Sequence, residues 1–153
     1  MTNEKLSIKE WHTKQAKQCF NGTWDLIDKQ DKTEQDIFNM IHKAHASRYH
    51  WGEVGEPVNL ARGEWQISRV YAIAKLGESA LFHAKEYLRY CQEHDLAIFD
   101  FAFAYESIAR AYMVLGNKEL VNKNLQLAKE ATSKVENEDN QKYLYSELQN
   151  ITL

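Results

Sequence analysis

The amino-acid sequence predicts an all-α fold, an α-solenoid of about seven antiparallel helices, and three observations support this prediction. The 153 residues contain only six glycines and one proline, whereas these two types make up about 12% of an average protein and are needed in the turns of β folds. Apolar residues recur at helical spacing along almost the whole chain. A short pattern also recurs after 41 residues, which indicates a repeated helical hairpin.

The first two helices are expected to form a divergent N-terminal hairpin over residues 5–52. The first helix is predicted at residues 7–28, with Asn21-Gly22 as the point where it would kink. The second is predicted to start after Thr33 and to extend to about Trp51. Thr33 and Asp36 have the spacing of a capping box, in which hydroxyl and carboxylate satisfy the first amides of a helix.

The remaining glycines and the proline divide the rest of the chain into five further helices. Pro57 is suited to the first turn of the third helix, residues 57–76, and Gly77 to its end. The fourth helix is expected at 78–93, the fifth at 98–115 before Gly116, the sixth at 118–134 and the seventh up to about 150. Short connections favour antiparallel neighbours. We therefore expect one domain over 1–153, with hairpins at 57–94 and 97–135 and a capping helix at 138–150.

An internal repeat relates the two predicted hairpins. The segment Ile67-Ser68-Arg69-Val70-Tyr71 recurs 41 residues later as Ile108-Ala109-Arg110-Ala111-Tyr112. The same offset aligns residues of the following helices, which agrees with a repeated helix-turn-helix unit. These aligned pairs are Ala80 with Val121, Ala84 with Leu125 and Tyr87 with Ala128.

On these residues the chain resembles the tetratricopeptide-repeat family, over about residues 60–134. The second unit matches the family pattern at Tyr105, Ile108, Ala109, Tyr112, Gly116, Val121, Leu125 and Ala128. The first unit matches at Glu64, Ile67, Ser68, Tyr71, Ala80, Ala84 and Tyr87, with its turn displaced by two residues. A period of 41 residues exceeds the usual period of about 34. The resemblance implies stacked hairpins and peptide binding on their concave surface, with no chemical reaction.

Composition and charge exclude several classes of function. The 19 basic and 22 acidic residues give a net charge of −3, so we expect neither nucleic-acid nor membrane binding. Cys19 and Cys91 have no metal-ligand spacing, and reduced thiols are expected. No apolar run resembles a signal peptide or a transmembrane segment, which predicts a cytoplasmic protein.

Arginines beside aromatic residues are the candidate binding residues. The chain has 14 lysines but only five arginines, and four of these lie among aromatics. The spacing of Arg62, Trp65 and Arg69 places them on one helical face. A planar guanidinium can stack on an indole and still donate to an anion. The predicted ligand-binding residues are Arg48, Trp51, Arg62, Trp65, Arg69, Phe103, Glu106, Arg110 and Met113.

These observations favour a non-enzymatic module that binds a peptide or protein segment with an anionic group, without a cofactor. The alternative is a structural or regulatory subunit that self-associates, for example as a homodimer. Its arginines would then form internal ion pairs, with Glu106 neutralising Arg110 and with Glu64 or Asp100 neutralising others.

A metal-dependent helical enzyme built on His42, His45 and His83 is the third reading. No Glu-x-x-His pair accompanies these histidines, although helical metal sites commonly use one. No nucleophile motif or phosphate-binding glycine loop is present in the sequence either. We therefore expect no metal site and no enzymatic activity.

Overall fold

The computed structural model describes residues 5–153, and this part of the chain consists of seven α-helices without strands. The all-α prediction is confirmed. The helices are α1 (Ile8–Asp28), α2 (Glu34–Val54), α3 (Pro57–Ile73), α4 (Gly77–Glu93), α5 (Ile98–Leu115), α6 (Lys118–Ser133) and α7 (Glu138–Leu148). None of them combines the length and the apolar character that crossing a bilayer requires.

Side-chain caps define where several helices begin. The predicted capping box of Thr33 and Asp36 opens α2, and Ser7 with Glu10 forms the same arrangement before α1. In both, the carboxylate lies close to the positive end of the helix dipole. Pro57 occupies the first turn of α3, as predicted. The helix α1 continues through Gly22 without interruption.

The junction between α3 and α4 differs from the prediction. The helix α3 ends at Ile73, and Lys75 takes the left-handed conformation that terminates it, with φ of 65°. Gly77 is instead the first residue of α4. A Cβ atom at Gly77 would lie 2.7 Å from Cγ of Leu115, so this glycine permits close approach to α5 rather than stopping a helix.

The helices pack in two layers. Each helix packs against the next along the chain, and α3 also packs on α5 and α5 on α7. The indole rings of Trp24 and Trp65 lie 5.3 Å apart and connect α1 with α3. Hence α1, α3, α5 and α7 form one layer, called the odd layer below, and α2, α4 and α6 form the other, called the even layer.

Some residues that the 41-residue offset aligns are buried alike. Ile67 and Ile108 are both buried, as are Ala80 and Val121. In the first hairpin, the Ser68 hydroxyl donates to the Ala80 carbonyl over 2.8 Å, which ties α3 to α4. Ala109, which the offset aligns with Ser68, has no hydroxyl to make this bond. The offset therefore relates buried positions of the two hairpins but not all of their contacts.

Candidate ligand-binding site

The odd layer contains a cavity of about 320 Å³ with mostly aromatic walls. Three of the predicted binding residues line it: Arg62, Trp65 and Phe103. Five helices contribute to the walls, the four of the odd layer and α4, so the cavity depends on how these helices pack together and not on one hairpin. The lining residues, which define the aromatic cavity below, are Phe20, Trp24, Arg62, Trp65, Tyr87, Phe99, Phe103 and Tyr143.

Ring contacts form a continuous wall along this cavity. Trp65 contacts Trp24 on α1 and Phe103 on α5, with centroids 5.3 and 5.0 Å apart. Phe103 also contacts Phe99, at 5.0 Å, and Tyr143 on α7, at 5.7 Å. These are the tilted and edge-on arrangements that aromatic pairs prefer. Such walls favour a flat apolar group as the occupant.

A second cavity of about 390 Å³ adjoins the aromatic cavity and is more polar. Phe20 and Arg62 line both cavities. The predicted binding residue Trp51 belongs here, together with the exposed Lys17. Within residues 5–153, no carboxylate lies within ion-pair distance of the Lys17 ammonium group. The lining residues are Lys17, Phe20, Asn21, Trp51, Asn59 and Arg62.

Arg62 is held in place by a buried carboxylate. Its Nε and Nη2 donate to the two oxygens of Asp100 at 3.0 and 3.2 Å. Asp100 is only 1% exposed and also accepts from the Tyr87 hydroxyl at 2.7 Å. The hydrogen bonds to Asp100 raise the pKa of Arg62, and burial, followed by the Asp100 charge, raises the pKa of Tyr87.

The guanidinium of Arg62 retains a donor for a ligand. Its Nη1 has no acceptor among residues 5–153, and the side chain is 47% exposed. The Cζ atom lies 5.7 Å from the Phe99 ring centroid, within the range of a cation–π contact. The site thus combines a fixed, partly exposed cation with an aromatic wall.

The predicted residues Arg69, Glu106 and Arg110 lie together in a buried ion cluster, completed by Glu147 of α7. Glu106 is fully buried, and its Oε1 lies 2.6 Å from Nη2 of Arg110 and 3.4 Å from Nη2 of Arg69. Glu147 Oε2 lies 3.3 Å from Arg69 and 3.6 Å from Arg110. The expected pairing of Glu106 with Arg110 is confirmed, and two carboxylates neutralise the two arginines.

The predicted residue Met113 lies beyond this cluster, at a smaller cavity. The cavity has a volume of about 150 Å³, and Arg69, Lys75 and Arg110 are among its lining residues. The sulfur of Met113 accepts from the Thr152 amide at 3.3 Å. Met113 therefore helps to hold the end of the chain against α5.

Arg48 lies apart from the cavities, where α2 meets α3 and α4. Its Nε lies 3.2 Å from a Glu64 oxygen, and its Nη2 donates to the Tyr90 hydroxyl over 3.2 Å. A Cβ atom at Gly63 would lie 2.8 Å from its Cδ, so the glycine makes room for the arginine stem. The structure gives Arg48 the role of joining helices at this point.

Two of the three candidate histidines make internal hydrogen bonds. His45 bonds to the Tyr71 hydroxyl at 2.8 Å, and His83 to Glu64 at 2.5 Å, whereas His42 is exposed. In residues 5–153, no three His, Cys, Asp or Glu side chains are grouped to hold a metal. Burial raises the pKa of the Cys91 thiol to about 12, so at neutral pH it is protonated and a poor nucleophile.

Sequence reasoning missed part of the site because three of the eight residues that line the aromatic cavity come from helices outside the repeat. A signal was available on α1: Lys17, Phe20 and Trp24 have the same spacing of three and four residues as Arg62, Trp65 and Arg69. On α5, Phe99 precedes Phe103 by one turn. The missed residues that matter most are Lys17, Phe20, Trp24, Tyr87, Phe99, Tyr143 and Glu147.

The fold and the site thus define an all-helical protein with an aromatic cavity and an adjoining cationic rim. The chain matches no known family model and has no significant match among curated proteins.

Proposed function

We propose that this protein is a non-enzymatic binding module for a peptide or protein segment that carries an apolar ring next to an acidic group. The observation that carries the proposal is the junction of the two cavities, where Phe20 and Arg62 line both. One cavity offers aromatic walls, and the other offers Lys17 and Arg62. Ligand sites commonly combine mostly apolar walls with a few polar groups that orient the ligand.

The resemblance of residues 60–134 to tetratricopeptide repeats supports this proposal from the sequence. In that family the first helices of the hairpins line the concave peptide-binding surface, and α3 and α5 are the first helices of the two hairpins here. Trp65 and Phe103 lie on these two helices, 5.0 Å apart. The acidic group of the partner is assigned to Lys17 and Arg62, since the Arg62 side chain remains 47% exposed beside Asp100, whereas Arg69 and Arg110 are only 10% and 13% exposed.

A displayed library of random 12-residue peptides, sorted on the purified protein, tests the proposal. We expect the enriched peptides to share an aromatic residue close to Asp or Glu. Lys17→Glu and Trp65→Leu should each weaken their binding at least tenfold. Lys129→Glu is the matched control for Lys17→Glu, because Lys129 lines a different cavity between α6 and α7. The proposal would be overturned if no peptides are enriched, or if the peptides bind Lys17→Glu and Trp65→Leu as tightly as the unaltered protein.

The second candidate function is that of a structural or regulatory subunit that self-associates. Two observations favour it: four of the five arginines form ion pairs between helices, and the even layer exposes large aromatic side chains. Phe38 on α2 is 52% exposed and Phe82 on α4 is 64% exposed. Sedimentation equilibrium tests it, because a concentration-dependent mass that Phe82→Glu abolishes is expected only for self-association through this layer.

A further inference from the structure

We infer that the group recognised by the aromatic cavity is a planar aromatic ring with a carboxylate one or two carbon atoms away, and that a free aromatic acid of this kind is a sufficient ligand. This inference rests on the proposed function and narrows it. It assigns the ring to the aromatic cavity and the carboxylate to Arg62. The same chemistry occurs in a free acid and at the C-terminal aromatic residue of a peptide.

The first step of the argument is the orientation of Arg62. Asp100 takes two of its donor groups, Nε and Nη2, in a bidentate pair, and the Tyr87 hydroxyl holds Asp100 from the other side. A guanidinium fixed in this way loses little conformational entropy when it binds a ligand. Tyr87 and Asp100 are thus positioning residues, and Arg62 is the residue that contacts the ligand.

The second step is the remaining capacity of Arg62 for hydrogen bonds. The Nη1 group has no acceptor among residues 5–153, and Arg62 lines both cavities. Two-point anchoring on Asp100 leaves Nη1 as the group available to a second anion. By contrast, Arg110 uses both Nε and Nη2 on the buried Glu106 and is itself largely buried. Arg62 is therefore the arginine suited to a ligand carboxylate.

The third step is the distance between the cation and the aromatic wall. The Cζ atom of Arg62 lies 5.7 Å from the centroid of Phe99, and Phe99 contacts Phe103 at 5.0 Å. A ring packed against these side chains at the usual centroid separation of about 4.5–7 Å lies next to the guanidinium. Only a short spacer between ring and carboxylate satisfies both contacts. Lys17, at the adjoining cavity, adds a second positive charge.

Titration with 1-naphthylacetate, its neutral amide and acetate tests the inference on the full chain. Calorimetry gives the Kd, and the indole N–H signals of Trp24 and Trp65 in two-dimensional NMR locate the ligand. We expect saturable binding of the acid, at least tenfold weaker binding of the amide and none of acetate. Arg62→Met should lower the affinity for the acid to that for the amide. The affinity for the amide should not change in Arg62→Met, which shows that the cavity is intact.

Arg89→Met is the matched control, because Arg89 is an exposed arginine paired with Glu86 and Glu93 on the outside of α4. It should leave the affinity for the acid unchanged. Equal affinity for acid and amide, or no effect of Arg62→Met, would overturn the inference.

Two peptides distinguish the source of the carboxylate and separate this inference from the proposed function. One ends in Phe with a free C-terminus, and the other is its C-terminal amide. Tighter binding of the free peptide than of the amide supports terminal-residue recognition. A different outcome is that the library peptides bind through an internal aromatic residue, while the free acid does not bind and a free C-terminus does not raise the affinity. In that case the inference fails and the proposed function stands. If no peptide and no acid binds, both fail.

Discussion

The arginines at the two ends of the odd layer differ in their exposure and in their acidic partners. At one end, Arg62 pairs with Asp100 and remains 47% exposed beside the aromatic cavity. At the other, Arg69 and Arg110 have side chains only 10% and 13% exposed and share Glu106 and Glu147. The acidic groups that other helices bring to an arginine therefore decide whether its guanidinium stays exposed or is enclosed in an ion cluster.

The largest effect should follow from removing the central carboxylate of the ion cluster. Glu106→Gln leaves two largely buried arginines with only Glu147 to neutralise them. Breaking a buried pair in this way costs about 3–5 kcal/mol, or roughly 6–20 °C in Tm for a chain of this size. Urea unfolding followed by circular dichroism measures the loss.

Glu93→Gln is the control for this substitution. Glu93 is half-exposed and pairs with Arg89, so its change should be within about 0.5 kcal/mol. A cost for Glu106→Gln as small as that of Glu93→Gln would contradict a structural role for the cluster.

A smaller effect is expected from Asp100→Asn, at the end of the odd layer that carries Arg62. Asp100 is as buried as Glu106, but its arginine partner can be solvated when the ion pair is lost. We expect a cost of about 2 kcal/mol, mainly from the lost charge and from the Arg62 Nη2 hydrogen bond to Oδ2, which an amide nitrogen at that position cannot accept. The same urea experiment measures it. A loss of unfolding free energy equal to that of Glu106→Gln would show that the solvent exposure of the arginine does not determine the cost of removing its carboxylate partner.

The sequence predicted the number of helices because apolar spacing and capping residues are local properties. Thr33 with Asp36 and the turn at Pro57 could be assigned without knowledge of the packing. The end of α3 could not, because Lys75 adopts a left-handed conformation and Gly77 is required by its contact with Leu115. Contacts between distant helices decide such details.

The candidate site was partly predictable for the same reason. The pairing of Glu106 with Arg110 follows from a spacing of four residues within α5. The contact of Arg69 with Glu147 joins residues 78 positions apart, and no local pattern indicates it. The contributions of Phe20, Trp24 and Tyr143 to the aromatic cavity also depend on how the outer helices of the odd layer pack.

Glu147→Gln should have an effect smaller than those of the two buried acids. Glu147 is 15% exposed, and Glu106 continues to neutralise the arginines, so we expect a loss of about 1–2 kcal/mol. Amide hydrogen exchange should become faster in α7 because one of its links to α3 and α5 is lost.

Glu138→Gln is the control on the same helix, since its pair with Lys142 is exposed and contributes little. Equal stability losses in Glu147→Gln and Glu138→Gln would contradict a contribution of Glu147 to the ion cluster.

The smallest effect is expected from pH, and it should originate in α2 rather than at either end of the odd layer. Burial, followed by the charge of His83, lowers the pKa of His45. Burial, followed by His12, lowers the pKa of His50. The folded protein thus binds these protons less readily than the unfolded chain, whose histidines have a pKa of about 6.5. Stability is complete above this pH and falls as the pH decreases through it.

Thermal unfolding between pH 8 and pH 5.5 measures this dependence. His45→Gln and His50→Gln should each reduce the loss of Tm on acidification, and the exposed His94→Gln should not. The pKa of Asp36 is lowered to about 2, and those of Glu10 and Glu86 are also lowered. These acids therefore titrate below this pH range and do not contribute to the change in Tm. If Tm changes with pH in both variants as it does in the unaltered protein, the titrating groups lie elsewhere. Glu106→Gln, measured over the same pH range, then tests the ion cluster of the odd layer.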